Sequence, residues 1–410
     1  MMRNFFRLLS GSAFCLLLGM GLGWQRFPAA PPVTSPGIKP SVLSVKQQST
    51  EQTDTPSSST PAVTESLSLS DAQLKTLHVN EVGRVPILEY HEIGPNPRGA
   101  GYATRMMHRS VEEFEQDLQR LYEEGYRPVN LSEYLDNKMP LAAGTSPVIL
   151  TFDDARSTQF RYRSDGSLSP TCAIGLLQAF HENHPDWLLK GMFYVLPEGA
   201  FGSEMYASKK MRALLKMGFE LGNHTRSHNY FNRMSDEAII KEIAQGKRIT
   251  ENMAPGANLN TLALPGGCKP RSHNYGVLKQ GVYKGTYYTN RAVLDAWGGN
   301  APSTISVKFD PLRIPRVLGV NGSGGVEEAL DELKENRGQR YVCSGDPTSV
   351  TIPIRLAKFV NTARLHGLPL RTYDDGRKPT ADDTPKAPPK SRHRKPHRKP
   401  ATVQSVKKQT

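Results

Sequence analysis

Short apolar strands alternate with amphipathic helices of 10 to 18 residues through the middle of this 410-residue chain. Candidate strands lie at 85–93, 147–152, 191–197 and 261–267, with helical patterns between them. Such alternation predicts βα units that build a parallel sheet. The pattern recurs without any repeat of the sequence itself. We therefore expect a (β/α) barrel, complete or incomplete, in preference to a doubly wound sheet.

The two ends of the chain differ in composition from its middle. In residues 1–24, Arg3 and Arg7 precede an apolar run, as in a secretory signal. That run, residues 8–24, is also at the short end of what can span a bilayer, so a cleaved signal and an uncleaved signal anchor both remain open. Either alternative predicts an exported protein, membrane-anchored or secreted to the cell wall.

Residues 25–81 are rich in Ser, Thr and Pro and predict a disordered spacer. This leaves 82–376 as the folded domain and 377–410 as a basic disordered tail.

The last 26 residues hold nine Lys or Arg and no acid, so they contribute nine of the thirteen positive charges in the net charge of the chain. We expect this tail to contact an anionic wall polymer or lipid headgroups, or only to solubilise the chain. Nucleic acid is not expected, because the sequence has no zinc-finger spacing or RNA-binding signature.

Polar residues cluster directly after the predicted strands. They are Tyr90 and His91, Asp153 and Asp154, His224, and Pro265 with Gly266. In a (β/α) barrel the carboxyl ends of the strands form one rim, where catalytic residues gather. Taken alone, the paired aspartates occur more often at a turn or helix start than in an active site, and two histidines four residues apart often only cap a helix or face solvent.

His224 and His228 are four residues apart, which places both imidazoles on one side of a helical turn or tight loop. Together with a carboxylate they make a His-His-Asp site for a divalent cation, normally zinc, and leave a position for water. Of the neighbouring Asp153 and Asp154, one can bind the metal and the other can act as a general base. The sequence thus predicts a metal-dependent hydrolase.

The motifs "TFDDA", "HTRSH" and "LALPGG" occur in this order and resemble the first three motifs of the polysaccharide deacetylases, the NodB-homology or family 4 carbohydrate esterases. The resemblance covers about residues 84–320. It implies a distorted (β/α) barrel and metal-dependent removal of acetyl groups from sugar polymers. By motif, it implies Asp153 as general base and Asp154, His224 and His228 as ligands of zinc, with cobalt or nickel possible.

The resemblance also assigns residues beyond the metal site. The backbone N–H that follows Pro265, that of Gly266, would stabilise the oxyanion. Asp295 and Trp297 resemble the fourth motif, which tunes the catalytic acid and walls the acetyl pocket, although Trp297 is equally well explained as a core aromatic residue.

Two departures from the family pattern concern catalysis. The third motif often reads R-x-P-Y-G, with an arginine that orients the base, and here Ala263 takes that place. The segment "RIPR" offers Arg316 or Arg313 as a replacement, although an ordinary surface arginine explains this pattern nearly as well. The fifth motif, which supplies the acid histidine, is missing, because no histidine lies between 273 and 366. His91 is the nearest substitute, unless it makes only a structural hydrogen bond.

The sequence therefore predicts an exported deacetylase of an N-acetylglucosamine polymer. Peptidoglycan is the first expected substrate, followed by chitin-like or poly-N-acetylglucosamine chains. The alternative is a non-catalytic module that binds wall polysaccharide on a degenerate deacetylase fold.

Overall fold

Strands alternate with helices through most of the residues that the computed structural model describes, which are 69–95, 99 and 101–378. The strands are Arg84–Val85 (β1), Ile87–Tyr90 (β2), Glu92–Ile93 (β3), His108–Arg109 (β4), Tyr126–Pro128 (β5), Ser146–Asp153 (β6), Met192–Val195 (β7), Glu220–Asn223 (β8), Thr261–Ala263 (β9), Gln280–Tyr283 (β10), Thr286–Thr289 (β11), Ala292–Leu294 (β12), Ala301–Pro302 (β13), Val317–Leu318 (β14), Val350–Pro353 (β15) and Leu370–Tyr373 (β16). The α-helices are Asp71–Leu77 (α1), Tyr102–Arg105 (α2), Val111–Glu123 (α3), Leu131–Leu135 (α4), Ala173–Asn183 (α5), Glu204–Met217 (α6), Asp236–Met253 (α7), Gly276–Lys279 (α8) and Val326–Glu335 (α9). Short 3₁₀ helices occur at Ala200–Gly202, Phe231–Arg233, Pro265–Gly267, Arg337–Gln339, Ile354–Phe359 and Thr362–Arg364.

Seven parallel strands form a curled sheet in the order β12–β9–β8–β7–β6–β2–β14. β5 pairs with the first part of β6, and β2 pairs with the part that follows. The two edges of the sheet meet at residues 314–318, because Ile314 bridges to Leu294 of β12 and Val317 pairs with Leu88 of β2. The predicted (β/α) barrel is therefore confirmed. A doubly wound sheet is excluded, since it keeps two open edges.

Side chains of β6 alternate between the interior of the barrel and the layer of outer helices. Ile149 belongs to an apolar cluster with residues of β2, β7, β9 and β12, whereas Phe152 packs in the cluster that includes α3, α5 and α6. Thr151 and Asp153 share the inward face with Ile149, and both are buried. The inward face of β6 thus changes from apolar to polar toward the carboxyl end of the strand.

Helices α3 and α7 begin at N-cap serines that the sequence predicts. Ser110 and Glu113 exchange reciprocal hydrogen bonds at the start of α3, and Ser235 Oγ accepts from the Ala238 N–H at the start of α7. These bonds satisfy backbone donors that have no partner within the helix. Both helices then present an apolar stripe to the barrel.

The folded domain begins before residue 82, which corrects the predicted spacer at 25–81. α1 lies within that range, and Leu74 and Val79 are buried beside Tyr373 of β16. The Tyr373 hydroxyl donates to the Val79 carbonyl oxygen at 2.8 Å. Local composition could not indicate this, because a seven-residue helix is stabilised here by packing on a strand almost 300 residues away.

Three predictions fall outside the described residues. They concern the signal or anchor in residues 1–24, the spacer up to residue 68, and the basic tail beyond residue 378. Within the described ranges, no helix combines the length and the apolar composition needed to cross a bilayer.

Candidate metal centre and active site

Polar side chains collect at the carboxyl end of the barrel, as predicted from their positions after the strands. They follow β2, β6, β8, β9 and β12 or lie on the segment before β14. The predicted site residues at these positions are His91, Asp153, Asp154, His224, His228, Pro265, Gly266, Asp295, Trp297 and Arg316.

Asp154, His224 and His228 present three potential metal ligands to one another. The Nε2 atoms of His224 and His228 lie 3.3 and 3.5 Å from Oδ1 of Asp154. Asp154 Oδ1 and His224 Nε2 are buried, and neither makes a well-formed hydrogen bond within the described part of the chain. Such atoms destabilise a fold unless another group bonds them. Two imidazoles and a carboxylate suit a cation such as zinc, so these residues fit the predicted metal.

The backbone around the ligands is held in unfavourable conformations. Asp154, Thr225 and His228 have φ values of 73°, 71° and 57°, in the left-handed region that non-glycine residues avoid. Residues of this kind persist where their surroundings fix them, and they cluster at functional sites. The Nδ1 of His224 lies 3.0 Å from the Ala263 carbonyl oxygen, which orients the ring so that Nε2 faces Asp154.

Arg156, which the sequence analysis did not single out, engages the other oxygen of Asp154. Its Nε and Nη2 donate to Asp154 Oδ2 at 3.1 and 2.9 Å. The two oxygens of Asp154 are therefore divided between the histidines and this arginine. Arg156 also lines a cleft of about 370 Å³ beside the ligands, together with Glu92, Glu198 and His228.

Asp153 is held by Arg316, whose side chain is fully buried. Nη1 and Nη2 of Arg316 donate to Oδ1 and Oδ2 of Asp153, both at 2.8 Å. Such a two-pronged pair fixes the plane of the carboxylate. Of the two arginines proposed to replace the one missing at Ala263, Arg316 is the one that reaches Asp153. Arg313 is exposed.

The charges in this centre hold both aspartates ionised. Burial by itself would raise the pKa of Asp153, but Arg316 and His224 bring it below its ordinary value. Burial would likewise raise the pKa of Asp154, and His224 is the main group that lowers it. Burial would lower the pKa of His224, yet the two aspartates raise it.

His91 lies at the end of β2 and is almost completely buried. Its Nε2 is 3.5 Å from Oε1 of Glu89, and ligand atoms of His91, Glu89 and Asp153 lie within 4.8 Å of one another. Burial lowers the pKa of His91 to about 4, so the imidazole is neutral near pH 7. Sequence reasoning missed Glu89, although its two-residue spacing from Ile87 and His91 places all three on the inner face of the barrel.

The cluster of Glu89, His91 and Asp153 is not a second cation site. Arg316 already occupies it, with Nε 3.2 Å from Glu89 Oε2 and both Nη atoms on Asp153. A guanidinium in this position repels a metal ion. Burial also raises the pKa of Glu89, which favours the neutral acid over a metal-binding carboxylate.

Pro265 and Gly266 form a tight turn after β9, flanked by two aromatic rings. Gly266 has a φ of 54°, and a Cβ there would lie 2.9 Å from the ring of Tyr230. Trp297 packs in the same way on Gly267 and is 43% exposed, so it is a rim residue and not a core aromatic. Tyr230, at 40% exposure, was not predicted from the sequence.

Asp295 contacts the centre through its backbone. Its carbonyl oxygen accepts from Arg316 Nε at 2.8 Å, while its carboxylate accepts from Lys269 Nζ at 2.9 Å. We expected this carboxylate to tune the catalytic acid, and its hydrogen-bond partner is instead a lysine.

Residues 142–284 match the profile of a family described as polysaccharide deacetylase. No curated protein matches the chain. Similar solved structures include the deacetylase PplD of Streptococcus pyogenes in complex with acetate, at 20% identity and a TM-score of 0.44, covering 60% of this chain and 97% of that one. A polysaccharide deacetylase from Bacillus cereus aligns at 18% identity and a TM-score of 0.45, covering 61% and 69%. IcaB from Ammonifex degensii aligns at 16% identity and a TM-score of 0.42, covering 60% and 95%.

The matched region contains both aspartates, both histidines and the turn at Pro265. It agrees with the resemblance found from the motifs, and it lies on the barrel that the resemblance implied. Over residues 142–284 the chain is therefore similar to the polysaccharide deacetylases, as its motifs predicted.

Proposed function

We propose that the chain is a metal-dependent deacetylase that hydrolyses N-acetyl groups of an N-acetylglucosamine-containing polysaccharide. The observation that carries this proposal is the pairing of two carboxylates with different partners. Asp154 faces His224 and His228 with one buried oxygen, while the neighbouring Asp153 is aligned by Arg316. A metal ligand set and an oriented base on one barrel rim are the parts that hydrolysis of an amide requires.

Asp154, His224 and His228 would hold the cation, normally zinc, with cobalt or nickel possible. When bound, the cation supplies Lewis acidity toward water and toward the acetamide carbonyl. Asp153 is ionised and its plane is fixed by Arg316, so it accepts the proton of the attacking water. The Gly266 N–H, in the turn after Pro265, donates to the developing oxyanion.

Protonation of the leaving amine involves His91. Because its pKa is lowered to about 4, His91 does not carry a proton in the resting state near neutral pH. It lies beside Asp153 and Glu89, so it can receive the proton that Asp153 has taken from water and pass it to the nitrogen. His91 then acts as a relay, which accounts for the missing acid histidine of the fifth motif.

We further propose that the protein works outside the cytoplasm on peptidoglycan, with chitin-like or poly-N-acetylglucosamine chains as the next candidates. The basic and then apolar composition of residues 1–24 supports export, as a secreted or anchored protein. The tail with nine Lys or Arg supports contact with an anionic wall polymer or lipid.

The test is acetate release by the metal-loaded full chain from peptidoglycan fragments and, separately, from N-acetylglucosamine oligomers. Asp153→Asn should abolish release while the chain still binds one divalent cation, because Asp153 is not a ligand. His91→Asn should lower kcat strongly at unchanged metal affinity. Full activity of Asp153→Asn would refute the assignment of the base.

The competing function is a non-catalytic polysaccharide-binding module. It is favoured by the absence of a histidine between residues 273 and 366. Oligomer binding by a folded, metal-loaded chain that releases no acetate from any of these polymers would select it.

A further inference from the structure

The turn at Gly266 and Gly267 is enclosed by two aromatic rings from different parts of the chain. A Cβ on Gly266 would lie 2.9 Å from Cε1 of Tyr230, and a Cβ on Gly267 would lie 2.9 Å from Cη2 of Trp297. Both glycines have left-handed backbones, with φ values of 54° and 62°. Each ring therefore rests against a residue without a side chain, in the turn whose N–H is assigned to the oxyanion.

Tyr230 is held in place although its ring is exposed. Phe231, the next residue, is fully buried in the cluster beneath α7 and α8 and anchors this part of the loop. The ring centroid of His228 lies 5.8 Å from that of Tyr230, and the Arg233 guanidinium lies 5.6 Å from the same centroid. The ring is thus fixed between a predicted metal ligand and the Gly266 turn.

The grouping of both rings beside the polar site points to a ligand. Tyr230 and Trp297 are 40% and 43% exposed, although aromatic surface is favourably removed from water. Apolar surface grouped beside a polar site marks a binding surface. A pyranose ring has an apolar face of C–H groups, which packs on aromatic rings, and polar groups at its edge, which can reach the metal ligands.

We propose that Tyr230 is a substrate-binding residue that stacks on a sugar ring of the polymer and, together with Trp297, holds the acetamide over the Gly266 turn. This inference rests on the proposed function for the identity of the sugar. It adds a specificity residue on the loop of the metal-binding histidines, where none was predicted.

The test is calorimetric titration of an N-acetylglucosamine tetramer into the full chain treated with a chelator. Under this treatment no metal-dependent acetate release takes place during the measurement. Tyr230→Leu keeps apolar bulk against Gly266 but removes the ring, and we expect roughly five- to tenfold weaker binding. Tyr230→Phe keeps the ring and should bind within about twofold of the unsubstituted chain. The matched control is Tyr287→Ala, on the β10–β11 hairpin, whose ring is 58% exposed and which should bind normally.

Thermal unfolding and zinc affinity are measured on the same variants, because Tyr230 neighbours His228. Equal binding by Tyr230→Leu and the unsubstituted chain overturns the inference, as does weak binding by Tyr230→Phe or no tetramer binding by the unsubstituted chain. Acetate release by the zinc-loaded chain is measured in a separate experiment. Binding that depends on Tyr230 without any acetate release contradicts the deacetylase and leaves this inference intact.

Discussion

Asp153 and Asp154 are neighbours in the chain, but their carboxylates have different surroundings. Asp153 points into the barrel, where Arg316 donates to both of its oxygens. Asp154 adopts a left-handed backbone that turns it toward His224 and His228. An extended strand would place the two acids on opposite faces. The change of conformation at Asp154 keeps both near His224, whose Nε2 lies 3.8 Å from Asp153 Oδ2 and 3.3 Å from Asp154 Oδ1.

The contribution of Arg316 can be tested with two substitutions. Arg316→Lys keeps the charge but cannot donate to both oxygens of Asp153 in the same plane. Asp153 is then misoriented, so kcat/KM should fall about a hundredfold. Arg316→Gln also removes the charge that lowers the pKa of Asp153, so the acid limb of the pH–rate profile should move to higher pH. An unchanged profile in a folded Arg316→Gln variant would contradict this account.

The sequence could predict the cluster of Asp154, His224 and His228 more readily than the groups around it. Adjacent aspartates after a strand and histidines four apart are local patterns, and the fold brings them together as expected. Arg316 and Arg313 could not be separated from spacing alone, because the choice depends on which face of the closing segment lines the barrel. Tyr230 carries no local signal, since its importance comes from contact with Gly266, 36 residues away in the chain.

At the level of elements, α7 and the loop after β8 are closely packed at Gly246. A Cβ there would lie 2.5 Å from the carbonyl carbon of Thr225, the residue after His224. Asn223 Oδ1 accepts from the Thr225 N–H, and Asn223 Nδ2 donates to the Ile243 carbonyl oxygen of α7. The helix therefore supports the turn that carries His224 and His228.

This packing predicts an unusual effect of Gly246→Ala. Alanine in a helix is favoured over glycine by about 1 kcal/mol, so an exposed helix would be stabilised. Here the added methyl group should displace the loop, lower the melting temperature and weaken zinc binding. The control is Gln245→Ala, the neighbouring position on α7, which should keep zinc affinity. Normal zinc affinity in Gly246→Ala would show that the loop does not depend on α7.

Helices with N-cap serines were predicted well because capping and apolar spacing are local. α1 was not predicted, since it forms by packing on β16 at the other end of the described chain, where β16 pairs with β15. Patterns within a short window carry no information about such contacts.

At the scale of the whole molecule, Glu81 ties the start of the domain to its end. It is buried, with Oε1 accepting from the Ser344 N–H and hydroxyl at 2.8 Å and Oε2 accepting from the Thr351 N–H at 2.7 Å. Burial raises its pKa above the ordinary 4.5 despite these bonds. The folded chain therefore holds the proton of Glu81 more tightly than the unfolded chain does.

Glu81→Gln should lower the free energy of unfolding by about 1–3 kcal/mol, because its amide NH₂ cannot accept from Thr351. Glu81 ionises first in the unfolded chain. Its contribution to stability is therefore fully present below pH 4.5 and is lost as the pH rises through the raised folded pKa. Denaturant unfolding of the unsubstituted chain and of Glu81→Gln should show that the difference between their free energies of unfolding becomes smaller as the pH rises through this range. A difference that grows with pH would contradict the raised pKa.

The most direct test of the account is a titration of zinc into the chelator-treated full chain, with bound metal and acetate release measured on the same samples. We predict that activity on N-acetylglucosamine oligomers rises in proportion to bound zinc and saturates at one ion per chain. His224→Ala should lose both together. Acetate release that is independent of bound zinc, or zinc binding that survives His224→Ala unchanged, would contradict the assignment of Asp154, His224 and His228 as the catalytic metal site.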